Sequence, residues 1–192
     1  RGSADRDFKF PKGVKPTLIA FTQAKKLVDN PDAIRGVSVI TVPDIRWARR
    51  DIKSVMLLAP VLGKQAAYEA GAFEAWMVED GKVTEGTSSN AYIVKDGKVI
   101  TRAISNNILA GCTRRALFRL AREKGVTLEE RAFTPDEAYA ADEAFLTSAS
   151  NFGFWRLISV LFVSTCWSSS TTRACSCFRQ LTATAAGLLV TA

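Results

Sequence analysis

Three short stretches carry residue types and spacings suited to chemistry. In "RRDIKSVM" (49–56), Lys53 stands between a charged cluster and a long apolar run. A lysine after a short extended segment and before an apolar helix is placed for partial burial, which would lower its pKa and leave a free amine; the plainer alternative is a solvated helix-start charge. In "VTEGTSSN" (83–90), Glu85 ends a hairpin strand and is followed by Gly86 and the hydroxyl residues Thr87, Ser88 and Ser89. This reads either as a polar loop or as hydroxyl and N–H groups offered to an anion, with Glu85 paired to something cationic. In "SNNILAGCTRR" (105–115) a loop enters a helix at Gly111-Cys112-Thr113. Unpaired N–H groups at a helix start plus a threonine hydroxyl make a phosphate site without a lysine, unless Thr113 is simply an N-cap.

The elements that must position these residues follow from periodicity and turn chemistry. "KPTLIAFT" (15–22) and "GVSVITV" (36–42) predict strands, the second bounded by Pro43, and the polar stretch 24–36 between them predicts a linker. From Ser54 to Gly71 apolar residues recur at helical spacing, and Pro60 places the start of the regular helix near itself. Residues 73–86 and 90–102 predict hairpins turning on Asp80-Gly81 and Asp96-Gly97. A helix over 113–125 opens on Thr113 and closes at Gly125, and a strand covers 126–133. Thr134-Pro135-Asp136-Glu137 spells a capping box, and 143–150 ("EAFLTSAS") reads as a final strand. Paired Asp-Gly turns force antiparallel neighbours, so the fold class is mixed α/β (α+β).

Composition narrows the function. The 192 residues are 47% hydrophobic, enough to bury a core, and the net charge of +7 is not gathered into a basic stripe, which argues against nucleic acid as a partner. Histidine is absent, which removes His-based triads, His general bases and nearly all zinc sites with a His ligand. Cys112, Cys166, Cys175 and Cys177 form no CxxC pair and no metal-ligand spacing, as free thiols of a reducing compartment would. The apolar run "LISVLFV" is too short to span a bilayer. The expectation is a soluble, cytoplasmic protein with no metal and no membrane partner.

Taken with the strand end "FLTSAS", the three stretches combine into more than each alone. A lysine, a carboxylate and two phosphate-ready turns are the parts that pyridoxal phosphate requires: an amine for a Schiff base, a partner for the ring nitrogen and a phosphate cradle. The run "DIRWARRDIKSVMLLAPVLGKQAAYEAGAFEAWMVEDGKVTEGTSSNAYIVKDG", followed by "SNNILAGCTRRA" and "ERAFTPDEAYAADEAFLTSAS", closely resembles the fold-type IV (class IV) pyridoxal-phosphate aminotransferases, in particular the D-amino-acid branch. The resemblance covers roughly residues 1–150.

That resemblance implies the large domain of a fold-type IV enzyme, with a mixed, barrel-like sheet and surrounding helices. It makes Lys53 the Schiff-base lysine and proton shuttle, and sets Glu85 opposite the pyridine nitrogen. Leu109 would pack on the ring face, and Cys112, Thr113, Ser148 and Ala149 would hold the phosphate, with Ser88 and Ser89 beside the cofactor. Arg6, in "RGSADRDFKFP", would clamp the substrate α-carboxylate, although the branch often places a histidine where Phe8 stands. The implied reaction transfers an amino group from a D-amino acid such as D-alanine to a 2-oxo acid such as 2-oxoglutarate, in a homodimer. A branched-chain aminotransferase, an (R)-amine transaminase, an aminodeoxychorismate lyase and an inactive fragment are the alternatives. The resemblance divides the chain into a small-domain remnant (1–23), an interdomain linker (24–36), the cofactor-binding domain (37–151) and an atypical tail (152–192). No Asp, Glu or Lys occurs after Glu143, so the tail is expected to be foreign to the fold, as a shifted reading frame would make it; an unusual genuine tail is the other reading.

Overall fold

The computed structural model describes residues 2–24, 35–149 and the backbone of 157–160. Two mixed four-stranded sheets share a core. The first holds β1 (Val37–Pro43), β2 (Glu74–Glu79), β3 (Lys82–Gly86) and β8 (Leu157–Val160), in the order β3-β2-β1-β8. The second holds β4 (Asn90–Lys95), β5 (Lys98–Thr101), β6 (Leu128–Glu130) and β7 (Glu143–Thr147), in the order β6-β5-β4-β7. Three helices complete the described elements: α1 (Leu58–Glu69), α2 (Cys112–Glu123) and α3 (Pro135–Tyr139).

Both hairpins form where the Asp-Gly pairs stand. Asp80 and Gly81 have φ of 51° and 69°, and Asp96 and Gly97 have 49° and 73°, the doubly left-handed geometry whose twist matches that of the flanking strands. Antiparallel pairing of β2 with β3 and of β4 with β5 follows. Parallel pairs occur as well: β1 runs parallel to β2, with α1 as the crossover, and β5 runs parallel to β6.

Period-2 alternation sorts the strand residues into layers. Val39, Trp76, Val83, Ala91, Ile93 and Leu146, drawn from both sheets, pack into one cluster with Phe133. Trp76 is 0% exposed and meets Phe133 edge-on at 5.7 Å between ring centroids. The intervening residues Tyr92, Val94 and Phe145 face α2 through Leu117, and Ile40 and Ala75 face α1 through Ala67. Strands covered on both faces read as near-continuous apolar runs, which is the character of "NAYIV".

Helix starts test the expected caps. Thr134 accepts from the Glu137 N–H (3.1 Å) while Glu137 accepts from the Thr134 N–H (2.8 Å), so α3 opens on the expected capping box. α1 starts at Leu58, two residues before Pro60, so the proline occupies the first turn, where no intrahelical donor is lost. α2 departs from expectation, with Gly111 and not Thr113 at its N-cap. Thr113 is inside the helix, and its hydroxyl instead donates to the Ser148 carbonyl (3.0 Å).

A further departure concerns 15–22, which carry no regular secondary structure; Leu18, Ile19 and Phe21 are exposed. A strand requires a neighbouring ladder to satisfy its backbone, and no described element pairs with this segment. Most of the linker 24–36 and of the tail lies outside the described residues. Within the tail, the backbone of β8 pairs in parallel with β1. Among the described residues no helix is long and apolar enough to cross a membrane.

Candidate active site

Strand ends from both sheets converge on one cleft of about 970 Å³. Its walls come from the segment after β1 through the start of α1, the β3–β4 connection, the loop before α2, and the end of β7. Lys53, Glu85, Ser88, Ser89, Leu109, Cys112, Thr113, Ser148 and Ala149 all line it. Arg6 does not: it lies in the exposed N-terminal segment, its guanidinium 5.7 Å from the Phe8 ring centre.

Glu85 is the penultimate residue of β3 and is buried. Its carboxylate accepts from Arg46 Nη1 (2.5 Å), from Asn90 Nδ2 (2.9 Å) and from the Leu109 N–H (3.1 and 3.2 Å to its two oxygens). These contacts, with the Leu109 N–H shared between both oxygens, hold the Glu85 carboxylate in the cleft wall. Burial pushes the Glu85 carboxyl above its ordinary pKa; Arg46 and the Leu109 N–H pull against that shift without cancelling it.

Arg46 also forks onto Asp44 through Nε (2.9 Å) and Nη2 (2.7 Å), and the Thr84 hydroxyl donates to Asp44 at 2.6 Å. Burial alone would raise the Asp44 pKa, but the Arg46 and Thr84 hydrogen bonds outweigh it and hold that carboxyl below its usual range. Arg50 closes the network with a bidentate contact to Glu79 (2.8 and 2.6 Å). Neither Asp44, Arg46 nor Asn90 was singled out by sequence. A signal was present in "DIRWARR", where Asp44 and Arg46 alternate on extended chain and so share a side.

The opposite wall is suited to an anion. α2 begins at Gly111 without a side-chain cap, so its first N–H groups depend on other acceptors. Thr113 ties this helix start to Ser148, whose own buried Oγ has no hydrogen-bond partner among the described residues. Asn90 braces both sides, donating to Glu85 and to the Leu109 carbonyl (2.9 Å). A Cβ built at Gly111 would lie 2.4 Å from Asn90 Oδ1. Gly111→Ala should therefore displace the Asn90 amide from Glu85 and cost about 1–3 kcal/mol, checked by urea unfolding; an unchanged midpoint would show that Asn90 does not bear this load.

Two expectations meet a different geometry. Lys53 is exposed, not partly buried, because no described element covers the 52–57 segment. Ser88 and Ser89 line the cleft, yet their hydroxyls donate to Glu74 (2.9 and 3.1 Å). Among the described residues no group of three His, Cys, Asp or Glu side chains could hold a metal ion.

Comparison with known proteins gives the arrangement its context. The amino-transferase class IV family model matches residues 1–159. The D-alanine aminotransferase of Bacillus licheniformis is 44% identical over 152 residues, which are 78% of this chain and 53% of the relative. Among solved structures, a branched-chain aminotransferase from Thermoproteus uzoniensis with norvaline superposes with TM-score 0.64 at 25% identity, covering 81% of this chain and 52% of that one. A branched-chain amino acid aminotransferase from Thermobaculum terrenum in its PLP form gives TM-score 0.59 at 29% identity, covering 68% and 45%. The chain thus spans about half the length of the curated relatives it matches. With the family match running through both walls of the cleft, the chain belongs to the class IV aminotransferases.

Proposed function

We propose that this chain carries the cofactor cleft of a pyridoxal-phosphate-dependent transaminase that moves an amino group from a D-amino acid such as D-alanine to a 2-oxo acid such as 2-oxoglutarate. One observation carries the reading: a lysine, a buried carboxylate, and a helix start beside a serine whose hydroxyl has no partner among the described residues all line one cleft. When bound, pyridoxal 5′-phosphate supplies an aldehyde that captures amines and a ring that withdraws electrons from the substrate α-carbon.

The cleft residues fit that group at three points. Ser148 Oγ, the Thr113 region and the first N–H groups of α2 suit the phosphate, with Cys112 and Ala149 beside them. Glu85 would be the anionic partner of the ring nitrogen, and Arg46 and Asn90 fix its orientation. Leu109, held by Glu85 and Asn90, presents an apolar side chain between these two ends. Lys53 would supply the amine for the cofactor's aldehyde and a base for the substrate's α-proton. Ser88 and Ser89 form the wall between Glu85 and β4. For Arg6, which lies outside the cleft, the substrate α-carboxylate role rests on the family resemblance and on the fork shape of its guanidinium.

Similarity supports the D-amino-acid branch, since the Bacillus licheniformis relative is far more similar in sequence than the branched-chain structures. The same reading makes the working unit a homodimer. Val55, Met56, Leu58 and Val61, exposed beside the cleft, offer apolar surface whose burial contributes about 25 cal/mol per Å². We place the protein in the cytoplasm, where a free thiol such as Cys112 stays reduced. Pyruvate formation from D-alanine and 2-oxoglutarate, followed with the cofactor-loaded chain, is the test. Activity with D-alanine and none with L-alanine is expected; no pyruvate, or a branched-chain L-amino acid as the better donor, would defeat the proposal.

A further inference from the structure

Glu74, the first residue of β2, is 1% exposed and takes no part in the roles above. A carboxylate so far from water is costly to desolvate unless donors surround it. Here the donors come from the cleft wall. Ser88 and Ser89 donate to Oε2 at 2.9 and 3.1 Å, the Thr87 hydroxyl donates to Oε1, and the Ala75 N–H adds a fourth bond at 3.0 Å. Three consecutive hydroxyls thus converge on one side chain.

Glu74 also reaches the other wall. Lys64 on α1 places its Nζ 3.5 Å from Oε1, and the same ammonium donates to the Phe73 carbonyl. α1 continues directly from the Lys53 segment, and it packs closely on the turn: a Cβ at Gly63 would meet Thr87 Cγ2 at 3.0 Å. Within the turn, the Gly86 N–H donates to the Ser89 carbonyl (2.7 Å), and a Cβ at Gly86 would lie 2.2 Å from Ser89 Oγ and 3.3 Å from Glu74 Cγ. The chain is therefore shaped to bring the turn onto Glu74.

We infer that Glu74 is a positioning residue for the cofactor cleft: its carboxylate fixes the Thr87–Ser89 turn and ties it to the helix that follows Lys53, so that it sets the spacing between the amine wall and the Glu85 wall. This rests on the proposed function for its ligand and on the hydrogen bonds alone for the clamp. Glu74 touches no reacting atom; it acts through the turn.

Two measurements on the full chain test it. Amide hydrogen exchange without cofactor reads the clamp, and the dissociation constant for pyridoxal 5′-phosphate reads the positioning. Glu74→Ala should speed exchange at residues 87–90 about ten-fold or more, leave Tyr92–Val94 protected, and weaken cofactor binding by a similar factor, the scale of one lost hydrogen bond to a charged group. Glu74→Gln keeps an acceptor of the same shape and should restore both quantities in part; it also serves where the alanine variant does not fold. Unchanged exchange at 87–90 in both variants overturns the clamp. Faster exchange with unchanged cofactor affinity overturns the positioning role. A wild-type chain that binds no pyridoxal phosphate overturns the proposed function and the positioning role together, and is told apart because the exchange result stands by itself.

Discussion

Lys53→Ala is expected to abolish covalent capture of pyridoxal 5′-phosphate while leaving the fold intact. Borohydride reduction of the cofactor-loaded wild-type chain should fix the cofactor permanently on the peptide containing Lys53, as read by mass spectrometry. The alanine variant should show no such adduct, and any transamination should fall by at least about 10³-fold, within the range for loss of a positioned acid–base group. Stability should change by no more than about 0.5 kcal/mol, because the side chain is exposed and buries nothing. That separation of chemistry from folding makes the variant informative. Lys53→Arg keeps a positive charge but cannot condense with an aldehyde at neutral pH, so it should behave like the alanine variant. Reduction that fixes the cofactor on Lys64 instead would remove Lys53 from its role.

Arg46→Ala is expected to produce the larger loss of stability, about 3–5 kcal/mol at neutral pH, because it strands two buried carboxylates at once. The pH dependence follows from their opposite shifts. Asp44 sits below its usual pKa in the wild type, so its contribution is present above the unfolded value and lost as pH falls through the folded one. Glu85 sits above its usual value, so its contribution is present below the unfolded pKa and lost as pH rises through the folded one. Removing Arg46 drives both carboxyls upward, and acid then relieves the variant by protonating them. Urea midpoints at pH 7 and in the carboxylate range should therefore show the gap between variant and wild type narrowing on acidification. A gap that stays constant would mean that Arg46 acts through packing and not through charge.

Much of this architecture was legible because its causes are local. An Asp-Gly pair dictates its own backbone, and Thr134-Pro135-Asp136-Glu137 caps its own helix, so both could be read without knowing the rest of the fold. The residues facing the cleft were likewise legible in the order of their motifs. What stayed hidden depends on register. Pro43 sits opposite Val78 in the β1–β2 ladder, and only that pairing brings Asp44 to Thr84 and Arg46 to Glu85. The destination of the Ser88 and Ser89 hydroxyls was equally invisible, because Glu74 belongs to a neighbouring strand of the same hairpin and looks in sequence like an isolated acid in an apolar run. Residues 15–22 mislead for the converse reason. Their composition suits a strand, but strand formation requires a partner and no described element supplies one.

The strand ends that form the cleft belong to different sheets: Glu85 is the penultimate residue of β3 in one, and Ser148 follows β7 in the other. Lys53 and Ser148 are 95 positions apart in the chain. Contacts at such separation wait on loop closure, which local hairpins and helices do not. In kinetic terms the cleft is expected to complete after the local elements, since it draws on both sheets. The two Asp-Gly hairpins can zip within microseconds, whereas the cleft exists only after both sheets have docked through Trp76 and Phe133. A cofactor arriving before that moment meets single walls and not a site, so its capture reports the completion of the fold.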